Sequence, residues 1–163
     1  MSNNIGLYCG DLQAIVEKLG SYNDDVENDE NYEFPFQNVL GEDEDTDYPL
    51  QDLGQLVEGK KKQLDQAALQ FLKSFIWDWI DEKPVYDMKV DSDELGVNAI
   101  ISNATLKSMN LDRINVEQLG KTLFASGVCW ETTAALTDYL SIWHKAYCSA
   151  RDKGEGIVLK VWV

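Results

Sequence analysis

His144 and Cys148 have the residue types that nucleophilic catalysis uses, and they stand four positions apart. That spacing is one helical turn, so a helix would bring imidazole and thiol to one side, where a base can take a nucleophile's proton. No glycine-rich turn or nucleophile elbow surrounds the cysteine, and both residues flank an apolar stripe. The pair therefore reads as packing, and no catalytic residue is assigned. Metal chemistry fares no better. Cys9, Cys129, His144 and Cys148 make a three-cysteine, one-histidine set by count, yet none are paired at the short C-x2-C spacing of structural zinc sites. Asp43, Asp45 and Asp47 match the first, third and fifth positions of a calcium loop. Its sixth position should be glycine but is Tyr48, and its twelfth should be glutamate but is Gly54. Asp91 and Asp93 fail in the same way, with Leu95 in the fifth position. No glycines are spaced to cradle a phosphate. Neither metal nor cofactor is expected.

Charge is the more informative property. The 163 residues carry 29 acids against 14 bases, a formal net of −15, with 44% apolar and 10% aromatic content. A core of ordinary size follows from that composition, and global disorder does not. The acidity excludes direct nucleic-acid binding by a basic face and argues against an anionic membrane surface. Between Leu19 and Gly59 there are thirteen acids and no Lys or Arg, which leaves a remainder of only −2. Blocks of like charge usually lie in solvent as loops or interaction surfaces. A purely solvating tail contains few aromatics, yet Tyr22, Tyr32, Phe34, Phe36 and Tyr48 recur here. The segment reads as a long, partly ordered excursion whose aromatics pin it to the domain and leave its carboxylates outward. Candidate partner-binding carboxylates are Asp24, Asp25, Asp29, Glu30, Glu42, Asp43, Glu44, Asp45 and Asp47. Candidate aromatic anchors are Tyr32, Phe34, Phe36 and Tyr48.

The elements that must carry these residues can be traced along the chain. Asn4–Cys9 reads as a buried strand, and Asp11 can cap a helix through Leu12, Ile15, Val16 and Leu19 that Gly20 ends. A short helix over 50–58 is weakly signalled, with Pro35 and Pro49 as breakers. The widest apolar arc, from Leu64 to Ile80, predicts one central helix from about Lys60 to Glu82, with Trp77 pointing away from its middle. Val85–Val90 alternates like a strand, followed by a loop at 91–94, and 97–109 reads as a helix. Asn115 and Gln118 resemble a capping box for a helix that Gly127 closes. Trp130–Arg151 predicts a long helix, and Ile157–Val163 is the best strand signal, with the N-terminal strand as its candidate neighbour. Without repeats or a low-complexity linker, residues 1–163 are read as one domain. The expected fold is α+β: a small sheet of the N- and C-terminal strands plus a central strand, packed against three or four helices. The first residues lack the basic and apolar regions of a secretory signal, and no apolar run approaches a membrane span of roughly 20 residues. Three widely spaced cysteines fit thiols of a reducing compartment, so cytoplasm is the expected location.

Both chain ends have a recognisable pattern. Ile5-Gly6-Leu7-Tyr8 is followed closely by Asp11 and a short helix, and a closing helix with Ala146 and Ala150 leads through Lys153-Gly154-Glu155-Gly156 into an apolar strand. These features resemble the YfbM-like family of small uncharacterised bacterial proteins. The resemblance implies an α+β fold and supplies no catalytic residues to carry over. The functional expectation is an acidic protein-binding module whose partner is a basic protein, after the manner of an immunity protein that neutralises a nuclease toxin. The alternatives are a DNA-mimic anti-defence protein, a small enzyme using His144 with carboxylates, and a structural homodimer. Monomer and homodimer both remain open.

Overall fold

The computed structural model describes residues 4–11, 14, 39, 47–76, 88–92, 96–125 and 130–162. Four strands form one antiparallel sheet: β1 (Asn4–Gly10), β2 (Met88–Ser92), β3 (Gly96–Ile101) and β4 (Gly156–Trp162), in the order β1-β4-β3-β2. The N- and C-terminal strands are neighbours, as expected, with Leu7 opposite Leu159 and Tyr8 opposite Val158. Because side chains alternate along a strand, consecutive residues face opposite sides. Leu7, Ile157, Leu159 and Ile101 enter the helical core. On the opposite face, Tyr8, Val158 and Ile100 form one row across three strands and are buried as well. A sheet covered on both sides explains why Ile157–Val161 is continuously apolar apart from Lys160, rather than alternating.

Five α-helices accompany the sheet among the described residues: α1 (Asp47–Lys60), α2 (Gln66–Lys73), α3 (Asn103–Ser108), α4 (Val116–Leu123) and α5 (Thr133–Asp152). Four begin on a side-chain cap of the expected chemistry. Asp65 accepts from Ala68 N–H, Ser102 from Thr105, Asn115 from Gln118 and Thr132 from Ala135. Asp11 likewise accepts from Ala14 N–H at 3.0 Å. Helix α1 is longer than its sequence suggested. Pro49 sits within its first turn, where a missing N–H removes no helical bond, and Leu50, Leu53, Leu56 and Val57 recur at helical spacing and are all buried.

Two sequence expectations need correction. The single helix over 60–82 is instead the end of α1, a 3-10 turn (Lys61–Gln63) and then α2. Leu64 adopts an extended backbone and Asp65 takes an amide of the next turn, so the caps divide what the apolar arc appears to join. The arc itself holds as far as the structure describes it: Ala68, Phe71, Leu72, Phe75 and Ile76 are buried, while Trp77–Lys83 lie outside the described residues. The helix expected over 97–109 is strand β3 followed by α3. β3 pairs with β2 on one side and β4 on the other, and a double ladder outweighs a weak helical periodicity. Asp91 and Ser92, read as loop, belong to β2 opposite Val97 and Gly96.

Helices α2 and α5 meet through aromatic rings. Phe75 stacks on Trp143 with centroids 4.3 Å apart, and Tyr147 meets Phe71 edge-on at 5.3 Å. Within this apolar seam the Ser74 hydroxyl donates to the Phe71 carbonyl at 2.6 Å, so the Tyr147 hydroxyl is the donor in its 2.7 Å bond to Ser74. The Trp143 indole N–H is buried with no hydrogen-bond partner. Burial pushes the Tyr147 phenol well above its ordinary value, and nearby Cys9 adds to the rise.

Helix α5 ends in a Schellman motif. Glu155 N–H reaches the Ala150 carbonyl at 2.9 Å and Gly154 N–H the Arg151 carbonyl at 3.3 Å, with Gly154 left-handed at φ 71°. The Asn103 amide clamps the same end, donating toward the carbonyls of Ala150, Arg151 and Glu155. One side chain thus ties α3 to the turn that launches β4. Helices α4 and α5 approach closely at Gly120, where an added Cβ would overlap the Thr137 hydroxyl and stand 3.2 Å from its Cβ and 3.4 Å from its Cα. Gly120→Ala should destabilise the fold by about 1–2 kcal/mol despite alanine's better helix propensity, because overpacking exceeds that gain. Thr137→Ala should recover part of the loss in urea titrations; an unchanged midpoint for Gly120→Ala would show that the helices separate freely.

Candidate functional site

Two groups of residues compete for a functional reading. The first is His144 with Cys148. Helix α5 places them together as their spacing predicts, with Cys148 Sγ 3.6 Å from His144 Nε2 and 4.0 Å from Nδ1. The Leu111 carbonyl lies 2.8 Å from Nε2. A carbonyl only accepts, so Nε2 carries the proton and Nδ1, the more distant nitrogen, holds the lone pair. Phe71 meets the imidazole edge-on at 5.7 Å. Burial raises the Cys148 thiol above its ordinary value, Arg151 opposes this, and Asp112 and Asp152 add to it. Arg151 is itself engaged by Asp112 at 3.0 Å and Asp152 at 2.9 Å. A catalytic thiol needs the reverse arrangement, with a lowered pKa and a lone pair aimed at sulfur. Here the histidine joins α5 to the 3-10 turn Leu111–Arg113.

Cys9 is a second thiol raised by burial. Its sulfur lies 3.9 Å from the Ala146 carbonyl. Burial, aided by Glu155 and opposed by Lys153, pushes it up to about 11. At pH 8 alkylation of Cys9 should therefore be much slower than that of a free thiol. The linkage has a definite sign. The folded value exceeds the unfolded one, so the stability tied to the neutral thiol is fully present below about 9 and is lost as pH rises toward about 11. Cys9→Ala should flatten the fall in stability across that window, as measured by urea titration at stepped pH. Cys129 lies outside the described residues. Among those described, no cluster of three or more His, Cys, Asp or Glu side chains could hold a metal ion, and no helix is long and apolar enough to cross a membrane.

The second group is the acidic segment. Asp24, Asp25, Asp29, Glu30, Tyr32, Phe34, Phe36, Glu42, Asp43, Glu44 and Asp45 lie outside the described residues. Asp47 and Tyr48 open α1. The described parts of the segment are joined to the domain at two places. Val39 N–H donates to the Leu7 carbonyl on β1 at 2.8 Å, and the buried leucines and valine of α1 belong to the core. The sequence reading assigned the pinning chiefly to aromatics; among described residues the anchors are a backbone bond and aliphatic side chains.

An antiparallel sheet whose terminal strands are paired, with five helices about it, defines a small α+β protein. Comparison with solved structures finds this architecture in a crystal structure titled as a protein of unknown function, YfbM from Escherichia coli. The TM-score is 0.51 and the identity 13%, over 98% of this chain and 100% of that one. No family model matches and no curated protein matches. At this identity the likeness is one of fold, and it supports the YfbM-like resemblance seen at the chain ends. Ile5–Tyr8 lie in β1, Asp11 is a helix cap, and Lys153–Gly156 form the Schellman turn into β4.

Proposed function

We propose that this protein binds a cationic protein through its acidic segment, residues 19–59, in the manner of an immunity-type inhibitor of a basic, nuclease-like toxin in the cytoplasm. The observation that carries the reading is the concentration of thirteen acids without one base in a stretch joined to a nearly neutral domain. A nuclease site is positive because it holds phosphates, so carboxylates offered to it speed encounter and occupy its charge sites. Tyr32, Phe34, Phe36 and Tyr48 would add the desolvated contacts that hold the complex together. The joints at Val39 and α1 support the reading, since tethered carboxylates lose less freedom on binding than those of a loose tail. The raised thiol of Cys148 and the contact of Nε2 with the Leu111 carbonyl weigh against a nucleophilic pair of Cys148 and His144.

The test is a tagged pull-down from source-cell lysate at low and then moderate salt, followed by growth rescue against the captured protein. A basic protein released as salt rises, whose toxicity is relieved by co-expression, supports the reading. Capture of nothing, or only of proteins held independently of salt, overturns it.

A further inference from the structure

We propose that the outward face of α5 docks a second copy of this chain, helix against antiparallel helix about a two-fold axis. Ala134, Asp138, Ile142, Lys145 and Ser149 follow one another at helical spacing and all are exposed, so they form one solvent-facing stripe. It lies opposite the stripe of Leu136, Leu140, Trp143 and Tyr147 that enters the core. Ile142 is 42% exposed, well out in solvent for so large an apolar side chain. A lone exposed isoleucine has no significance by itself. Here it stands between an acid and a base that are both unengaged: among the described residues no ion pair involves Asp138 or Lys145.

The order of these residues makes the stripe complementary to itself. A two-fold axis that crosses α5 between Ser141 and Ile142 brings together, across the contact, residues equally distant from that point. Each Asp138 then faces the partner's Lys145, and each Ile142 lies over the partner's Ser141, a smaller residue that leaves room for it. Ala134 and Ser149 meet as a matched pair on either side, small enough to let the helix axes approach to about 8–10 Å. A parallel pairing in register would set acid against acid and base against base, so charge selects the antiparallel one. The contact uses one helix from each copy and falls short of the roughly 1,200 Å² of a stable interface. Self-association is therefore weak and reversible, with Kd of about 0.1–1 mM. No residue of the acidic segment contributes to it.

The test is sedimentation equilibrium of the full chain at up to about 1 mM, in about 0.15 M salt. A screening length of about 8 Å then damps the repulsion between two molecules of net −15. Wild type should show a reversible monomer–dimer equilibrium. Asp138→Lys and Lys145→Asp each set like charges across the contact, and each should weaken dimerisation about tenfold or more. Mixed in equal amounts, the two variants should associate with each other, because every facing pair is then of opposite sign. The double variant Asp138→Lys, Lys145→Asp should dimerise as wild type does. All the substituted positions are exposed, and near-ultraviolet circular dichroism confirms that each variant is folded before mixing. The proposal is overturned by a wild type that stays monomeric at about 1 mM, by single variants that dimerise as wild type does, or by a mixture that stays monomeric. Restored association in the mixture cannot come from damage to the fold, since two damaged chains would not repair each other.

Discussion

Neutralising Glu42, Asp43, Glu44, Asp45 and Asp47 together, as amides, should slow association with the proposed basic partner by about 10- to 100-fold at low salt. Steering acts on encounter, so the dissociation rate changes less, and the dependence of association on salt becomes shallower. Five of the thirteen acids in the segment are removed, and none of the five is replaced by a bulkier group. Asp47 needs separate treatment because it opens α1. A carboxylate in a helix's first turn is worth about 0.3–1 kcal/mol against the macrodipole, so Asp47→Asn alone should lower stability slightly. A four-site variant that retains Asp47 separates the two effects, and it should keep the thermal midpoint while losing most of the association rate. Stopped-flow association measured between 50 and 300 mM salt is the check. Unchanged rates and an unchanged salt slope in the four-site variant would mean that the partner docks elsewhere.

Phe75→Ala should be the most damaging single core substitution, at about 3–5 kcal/mol. Phe75 is fully buried at the junction of α2 and α5, stacked on Trp143 at an interplanar angle of 6° and edge-on to Phe71 at 5.2 Å. Removing the ring takes away buried area and leaves a cavity beside Trp143, whose indole N–H has no partner to hold it in place. For a domain of this length each kcal/mol corresponds to a few degrees, so the midpoint should fall by roughly 10 °C or more. Phe75→Leu, which keeps much of the volume, should cost less than half as much. A loss below about 1 kcal/mol for the alanine variant, measured by urea denaturation, would show that the α2–α5 seam does not hold the core together.

The core was legible to different degrees along the chain. Helix α5 could be read from Leu136, Leu140, Trp143 and Tyr147, because a twenty-residue amphipathic helix repeats its signal five times. The caps at Asp11 and Asn115 were equally plain, since capping is a local matter of one side chain and an amide three residues on. Where local signals competed, the reading failed. Apolar residues from Leu64 to Ile80 suggested one helix, but Asp65 began a new one inside the pattern. Residues 97–101 have mixed periodicity, and their strand state rests on partners about 60 residues away in β4. For the candidate site, the acidic block was visible at once in composition. Composition is silent on where the segment joins the domain, because the bond from Val39 to Leu7 spans some thirty residues.

The sequence by itself determined the class of the protein and the uneven distribution of its charge. Both follow from quantities that need no partner: apolar periodicity, cap chemistry and a count of ionisable groups. Only the tertiary structure decided the order β1-β4-β3-β2, the burial of both sheet faces, the clamp of Asn103 on the end of α5 and the raised thiols of Cys9 and Cys148. Each of these depends on groups distant in sequence meeting out of water. A ladder bond, a close-packed ring or a desolvated sulfur has no energy until its neighbour arrives, and no local pattern of residues names that neighbour.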